Sequence, residues 1–196
     1  MHKSSLQHMQ RLVATYLSPD QAIHAVDIGS FDVNGSYRTL FGQPKWRYTG
    51  VDLEAGPGVD VVLDSPYRLP FATGSVDVVV SGQAFEHIEH FWMTWLEMQR
   101  VLRPGGLVFL IAPSRGPEHR YPQDCWRFYP DGYRALARLG DFELLEVHTD
   151  WEPADDAGSA PWGDTVGAFR SRGMGLRQRL GLWLARLGMG LQAPRA

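Results

Sequence analysis

The sequence predicts an α/β fold built on a doubly wound, mostly parallel sheet, and three observations predict it. Short apolar runs recur along the chain and each closes on an Asp, Gly or Ser. Segments with apolar residues at helical spacing lie between or beside those runs. The chain has 196 residues, 44% of them hydrophobic, enough for one substantial core and too few for two full-sized domains.

Taken in order, Leu6, Met9, Val13 and Leu17 repeat at helical spacing until Ser18-Pro19 interrupts them, so residues 1–22 open with an amphipathic helix. HAVDIGS (His24 to Ser30) then reads as a buried strand entering a tight turn, and Tyr48 to Leu53 and Val59 to Leu63 repeat the pattern. Val76 to Ser81 follows a Gly-Ser turn, and Leu107 to Ala112 follows the breaker RPGG at Arg103 to Gly106. Between these two strands, Phe91, Trp95, Met98 and Leu102 fall at helical intervals, the alternation of a parallel sheet with crossover helices. Pro130 stands at a first helical position, Tyr133 to Leu139 continues that helix, and Gly140 stops it. Phe142 to His148 and Asp164 to Arg170 are two further strands whose short connection suits an antiparallel pair. Residues 1–172 thus form one domain, followed by a tail over 173–196.

The net charge of -3 conceals an asymmetry. No Asp or Glu follows Asp164, whereas Arg170, Arg172, Arg177, Arg179, Arg186 and Arg195 do, so an acidic body precedes a basic tail. Such a body lacks the clustered positive charge of a nucleic-acid footprint, and no nucleic-acid partner is expected. No apolar run approaches the roughly 20 residues that span a bilayer. The single cysteine, Cys125, forms no internal disulfide and reads as buried packing. A cytoplasmic location is expected.

In a doubly wound sheet, ligands lie beyond the carboxyl ends of the strands, so strand-closing residues carry the chemistry. The first strand closes in DIGSFDVNGS (Asp27 to Ser36), where Gly29 and Gly35 permit a close turn. The second ends in Asp52, at the distance downstream where an acidic residue receives ribose hydroxyls. Asp64 closes the third, able to accept from an adenine amino group. Together the three strand ends point to an adenosine-like ligand.

With AVDIGS, YTGVDL, VVLDSPYRLPF, SVDVVVSGQAFEHIEH and LRPGGLVFLIAP in that order, residues 24 to 150 resemble the class I S-adenosylmethionine-dependent methyltransferases of the type 11 kind. The resemblance implies a Rossmann-like seven-stranded sheet with an antiparallel last strand at Asp164 to Arg170. It implies S-adenosylmethionine as cofactor and S-adenosylhomocysteine as product. Asp27, Gly29 and Ser30 would then surround the methionine part, Asp52 and Leu53 the ribose side, and Asp64 and Ser65 the adenine, with Gln83 closing the pocket. The family's usual GxGxG turn is replaced here by Gly29-Ser30-Phe31-Asp32-Val33-Asn34-Gly35.

A hydroxyl acceptor must lose a proton during methyl transfer, and histidine is the side chain suited to take it. His87, in EHIEH after the fourth strand, and His119, in the loop after the fifth, are the candidate bases. Glu86 and Glu89 have a competing role at the positive end of a helix starting there. EHIEH is not the HExxH zinc pattern, so no metal ligands are expected. SRGPEHRYPQDCWRFYPDG (Ser114 to Gly132) supplies aromatic faces with Arg115, Arg120 and Arg127, an acceptor loop for a sugar or secondary-metabolite hydroxyl, glycans and lipid-linked sugars included. Trp126 and Phe128 have the alternative of roofing the core. In the tail, Leu176, Leu180, Trp183, Leu187 and Leu191 share one helical face beside Arg179 and Arg186, suited to an anionic membrane surface, to covering the pocket, or to self-association. Two rival readings are a NAD-dependent oxidoreductase, which needs room for a pyrophosphate beside Phe31, and a noncatalytic adaptor that docks through the tail.

Overall fold

Seven strands pair in the order β3-β2-β1-β4-β5-β7-β6 in the computed structural model, which describes residues 2–191. The strands are β1 (Ile23–Ile28), β2 (Trp46–Asp52), β3 (Val61–Val62), β4 (Val76–Gly82), β5 (Leu102–Pro113), β6 (Phe142–Thr149) and β7 (Asp164–Ser171). The first five run parallel to one another, and β7 is antiparallel to both β5 and β6. The helices are α1 (Lys3–Tyr16), α2 (Phe91–Val101), α3 (Pro130–Leu139) and α4 (Leu176–Gly188).

Central strands bury both faces because both are covered, which is why their sequences read as continuous apolar runs. Met9, Leu12 and Val13 of α1 pack with Ala25, Val78, Val80, Phe109 and Ile111 on one side. Trp95 and Met98 of α2 and Tyr133 and Leu136 of α3 pack with Val26, Val79, Val108, Leu110 and Phe169 on the other. Trp95 is fully buried against Phe142 and Phe169 and donates its indole N–H to the Leu136 carbonyl at 2.8 Å.

Several sequence expectations change in detail. RPGG does not precede β5 but lies within it: Leu102 pairs with Val76 and Leu107 with Val78, so Arg103 to Gly106 bulge out opposite Asp77 alone. Leu102 therefore leaves the helix and starts the strand. EHIEH does not begin α2. Phe85–His87 form one 3-10 turn, and the helix starts only at Phe91. The winding is thin on one side, with a 3-10 turn at Tyr37–Phe41 between β1 and β2 and only a loop between β2 and β3. β3 itself keeps two residues of the expected run Val59 to Leu63.

The expected tail folds back as α4. Leu182 is buried, and Arg186 donates to the Tyr67 carbonyl at 2.7 Å and pairs with Glu97 of α2. Leu191 falls beyond the helix, and Arg195 lies outside the described residues. No helix among the described residues is long and apolar enough to cross a membrane.

Candidate functional site

The strand order reverses between β1 and β4, so their carboxyl ends are where a doubly wound sheet is expected to place a ligand crevice. At the tip of β1, Gly29 has φ +82°, and a Cβ there would overlap the Ala84 side chain beyond β4. Only glycine lets the two tips close to this distance. The Gly29 and Ser30 N–H groups both donate to the Val51 carbonyl, at 3.0 and 3.2 Å, which bends the loop over β2.

Asp52 closes β2 half-buried. Its Oδ2 accepts the Phe31 N–H at 3.0 Å, and its Oδ1 accepts the Leu53 N–H at 2.7 Å and the Glu54 N–H at 3.3 Å. A carboxylate offers about four acceptor sites, so Oδ2 keeps one for a ligand hydroxyl. Leu53 presents an exposed apolar face beside it, and Asp64 stands exposed past β3. Ser65 is occupied in a turn, accepting the Tyr67 N–H at 3.2 Å. Ser30 is buried with its Oγ unpartnered among the described residues and turned toward Gly50.

Gln83 takes the left-handed conformation, φ +59°, and both ends of its amide are bound, to His2 Nε2 at 3.1 Å and to Asp164 Oδ1 at 2.8 Å. Ser4 Oγ also donates to Asp164, at 2.8 Å, so the start of α1 is clamped over the crevice. Gln83 thereby ties the tip of β4 to the start of α1 and of β7.

Asp27 is buried and accepts the Tyr48 hydroxyl, and Arg38 lies 4.6 Å over the Tyr48 ring. Burial pushes the Asp27 carboxyl up to about 7. The folded state thus holds a proton that the unfolded chain releases near pH 4, and stability contributed by this group falls as pH rises from about 4 to about 7. Asp27→Asn removes that dependence. Urea unfolding across this interval is expected to show the variant gaining on the parent by about 1.4 kcal/mol per pH unit at most, a few kcal/mol in all; parallel pH curves would refute the assignment.

The acceptor side is built from the loops after β4 and β5. The turn out of Gln83 drives Phe85 into the core against Phe91 and Phe128, and the next residue, Glu86, is buried with it. Its two carboxylate oxygens have no hydrogen-bond partner among the described residues. Burial raises the Glu86 carboxyl to about 8. His87 Nε2 lies 3.6 Å from Glu86 Oε1 and His119 Nε2 lies 4.0 Å from the same oxygen. The two imidazoles meet edge to face with centroids 4.8 Å apart. Burial lowers the His87 pKa.

The structure brings the two candidate bases named from the sequence, His87 and His119, together, and Glu86, assigned there to a helix dipole, lies instead in a 3-10 turn before α2. Sequence reading missed the ring of aromatics around them. Trp162, just before β7, lies 4.4 Å from His119 and stacks on His2 at 5.0 Å, while Tyr121 reaches over both histidines and is 61% exposed. Trp162 is 43 residues from His119 and 160 from His2, so no local pattern marks it, whereas Tyr121 lies within the expected acceptor loop.

The expected acceptor loop is largely self-satisfied. Arg127 grips Asp124 through both oxygens, at 2.5 and 2.8 Å, and Asp124 in turn accepts the His119 N–H at 2.8 Å. Arg115 donates to the Trp151 carbonyl, and Arg120 pairs with Glu118 at the surface. Phe128 is core, whereas Trp126 is partly exposed and donates to the Ile88 and Glu89 carbonyls. Cys125, expected to be buried, is exposed.

The acceptor-only carboxylates, the exposed apolar face of Leu53 and the glycine at the point of closest approach fit a nucleoside bearing ribose hydroxyls and an adenine amine. A dinucleotide pyrophosphate fits poorly, because the Gly29 and Ser30 amides that would receive it are both given to Val51.

A methyltransferase-domain family model matches residues 26–110. An uncharacterized methyltransferase of Mycobacterium sp. (strain KMS) is 40% identical over 98 residues, covering 43% of this chain and 39% of that relative. One of Mycobacterium tuberculosis (strain ATCC 25618 / H37Rv) is 34% identical over 142 residues, covering 64% of this chain and 53% of its own length. The chain thus spans about half or less of these relatives. In fold it is similar to a Burkholderia thailandensis 1,6-didemethyltoxoflavin N1-methyltransferase solved with S-adenosylhomocysteine, at TM-score 0.66 and 15% identity over 86% of this chain and 79% of that one. It is likewise similar to a Haemonchus contortus phosphoethanolamine N-methyltransferase 2, at TM-score 0.63 and 15% identity over 84% of this chain and 52% of that one.

Proposed function

We propose, on the premise that residues 26–110 of this chain belong to the methyltransferase-domain family, that the protein is an S-adenosylmethionine-dependent methyltransferase acting on a hydroxyl of a small acceptor, a sugar or secondary metabolite. The observation that carries the reading is the convergence of Gly29, Asp52 and Asp64 on one crevice with the Glu86, His87 and His119 cluster beyond the next strand tip.

When bound, S-adenosylmethionine would supply an electrophilic methyl carbon on sulfonium sulfur, open to in-line attack by the acceptor with S-adenosylhomocysteine as the leaving group. This chain's residues do the rest by placement. Asp52 and Asp64 hold the ribose and adenine, and the Gly29 turn brings backbone against the methionine part. The α1 roof, latched through His2, Ser4, Gln83 and Asp164, keeps water out. On the far side, Tyr121 and Trp162 offer flat faces for a sugar ring, and the hydroxyl loses its proton on the side where His87 and His119 stand.

The C-terminal helix bears on how such an acceptor arrives. Leu176, Leu180, Trp183 and Leu184 are each more than half exposed on α4 beside Arg177 and Arg179, while Arg186 fastens the helix to Glu97. An apolar stripe with flanking arginines fits an anionic lipid surface, and with it a lipid-linked sugar as acceptor.

Incubation of the purified chain with S-adenosylmethionine and a panel of glycans, lipid-linked sugars and phenols is expected to release S-adenosylhomocysteine with at least one hydroxyl acceptor. Turnover confined to amine acceptors would replace the hydroxyl assignment. Absence of measurable S-adenosylmethionine binding by calorimetry would end the reading altogether.

A further inference from the structure

We infer that Glu86, His87 and His119 form a binding site for one divalent transition-metal cation, which the acceptor hydroxyl completes as a further ligand. The role rests on the acceptor site proposed above, although the binding itself does not.

Three features carry it. First, a fully buried carboxylate leaves both oxygens without a partner among the described residues, and a buried polar group without a partner is costly enough to be rare. Second, the imidazoles are oriented as ligands. His87 Nδ1 lies 2.5 Å from the Gln123 carbonyl, an oxygen that only accepts, so the ring proton sits on Nδ1 and the bare Nε2 faces Glu86. His119 Nδ1 lies 3.4 Å from the Asp124 carboxylate without a hydrogen bond among the described residues, and its Nε2 lies 4.0 Å from the same Glu86 oxygen. An imidazole whose remote N–H is held by a carbonyl, as in His87, is the usual arrangement behind a metal ligand. Third, the three donors lie within 4.8 Å of one another. A cation about 2.1 Å from each holds its donors roughly 3 to 3.5 Å apart, so small side-chain rotations close the shell.

Two imidazoles and one carboxylate leave coordination positions open, the mark of a reactive rather than a structural site. The His87 and His119 side chains are 11% and 22% exposed, and the exposed Tyr121 ring lies edge-on to both. A hydroxyl bound there is made more acidic by the cation, and its proton passes to solvent water before oxygen attacks carbon. The histidines then serve as ligands in place of the base role expected for them. The linear sequence hides the site because His119 comes from a different loop.

The test uses the full chain with Mn²⁺ alone or Zn²⁺ alone, without cofactor, titrated by calorimetry, with bound Mn²⁺ also read by electron paramagnetic resonance. One ion per chain is expected. Glu86→Gln, nearly isosteric, and His119→Asn are each expected to weaken binding by about ten- to a hundredfold, and His148→Ala to leave it unchanged. His148 reports on the other grouping able to hold an ion among the described residues, His8, His148 and Asp150. No binding of either ion, or binding that survives Glu86→Gln and His119→Asn but falls with His148→Ala, overturns the inference. Calorimetry of S-adenosylmethionine on the same variants separates the two failures. Intact cofactor binding without metal binding sinks the cation site alone, and lost cofactor binding in the parent chain sinks the methyltransferase reading.

Discussion

Asp52→Ala is expected to weaken S-adenosylmethionine binding by about tenfold to a hundredfold, the largest loss among single changes at the strand tips. The carboxylate contributes twice. In the proposed complex its free Oδ2 position would receive a ribose hydroxyl, a hydrogen bond to a charged group worth about 1.5–3 kcal/mol. Its other positions tie the Phe31, Leu53 and Glu54 N–H groups into one loop, so alanine also frees the backbone that shapes the crevice. Asp64→Ala, exposed and without such ties, is expected to cost less. Calorimetric titration of both variants with S-adenosylmethionine checks the ranking, with circular dichroism confirming the fold. Equal affinities for Asp52→Ala and the parent would remove the ribose contact from the account.

The largest stability effect is expected from Glu97→Ala, at about 3–5 kcal/mol, the range for breaking a buried ion pair by deleting one partner. Glu97 is fully buried on α2 and serves three segments at once. It accepts the Leu69 N–H at 2.9 Å, binds Arg100 through both oxygens at 2.6 and 2.8 Å, and pairs with Arg186 of α4. Alanine leaves two largely buried guanidinium groups and one buried N–H uncompensated. Arg186→Ala removes a single partner and is expected to cost markedly less while loosening α4. Urea unfolding of both variants, with limited proteolysis after α4, checks the difference. Equal losses would mean that the helix anchor, and not the buried carboxylate, dominates.

The strand frame was legible because each strand of a covered parallel sheet must be apolar on both faces and must end where the chain turns. HAVDIGS and the run ending in Asp52 show this, whereas β3, an edge strand, keeps only two residues of its expected run. α1, α2 and α3 were legible from a 3.6-residue period, since each buries one stripe. RPGG misled because Pro and Gly mark a break in pairing, and a bulge inside a strand breaks pairing as a turn does. EHIEH misled because its two glutamates suit a helix start, whereas the left-handed Gln83 commits the chain to a 3-10 turn first.

From residue types and their order alone follow the α/β class, the antiparallel final pair, the carboxylates at the strand tips and the resemblance that names a nucleoside sulfonium. All of these depend on local period or on a residue's place at the end of its own strand. Tertiary structure alone decided that Glu86 is buried without a partner among the described residues, that His119 crosses from the next loop to face it, that Trp162 and His2 complete the ring, that Arg127 is spent on its own loop, and that Arg115 is spent on the loop before β7. Burial and unmet hydrogen-bonding capacity depend on what every other segment supplies, and segments brought together by folding leave no spacing in the chain from which to read them.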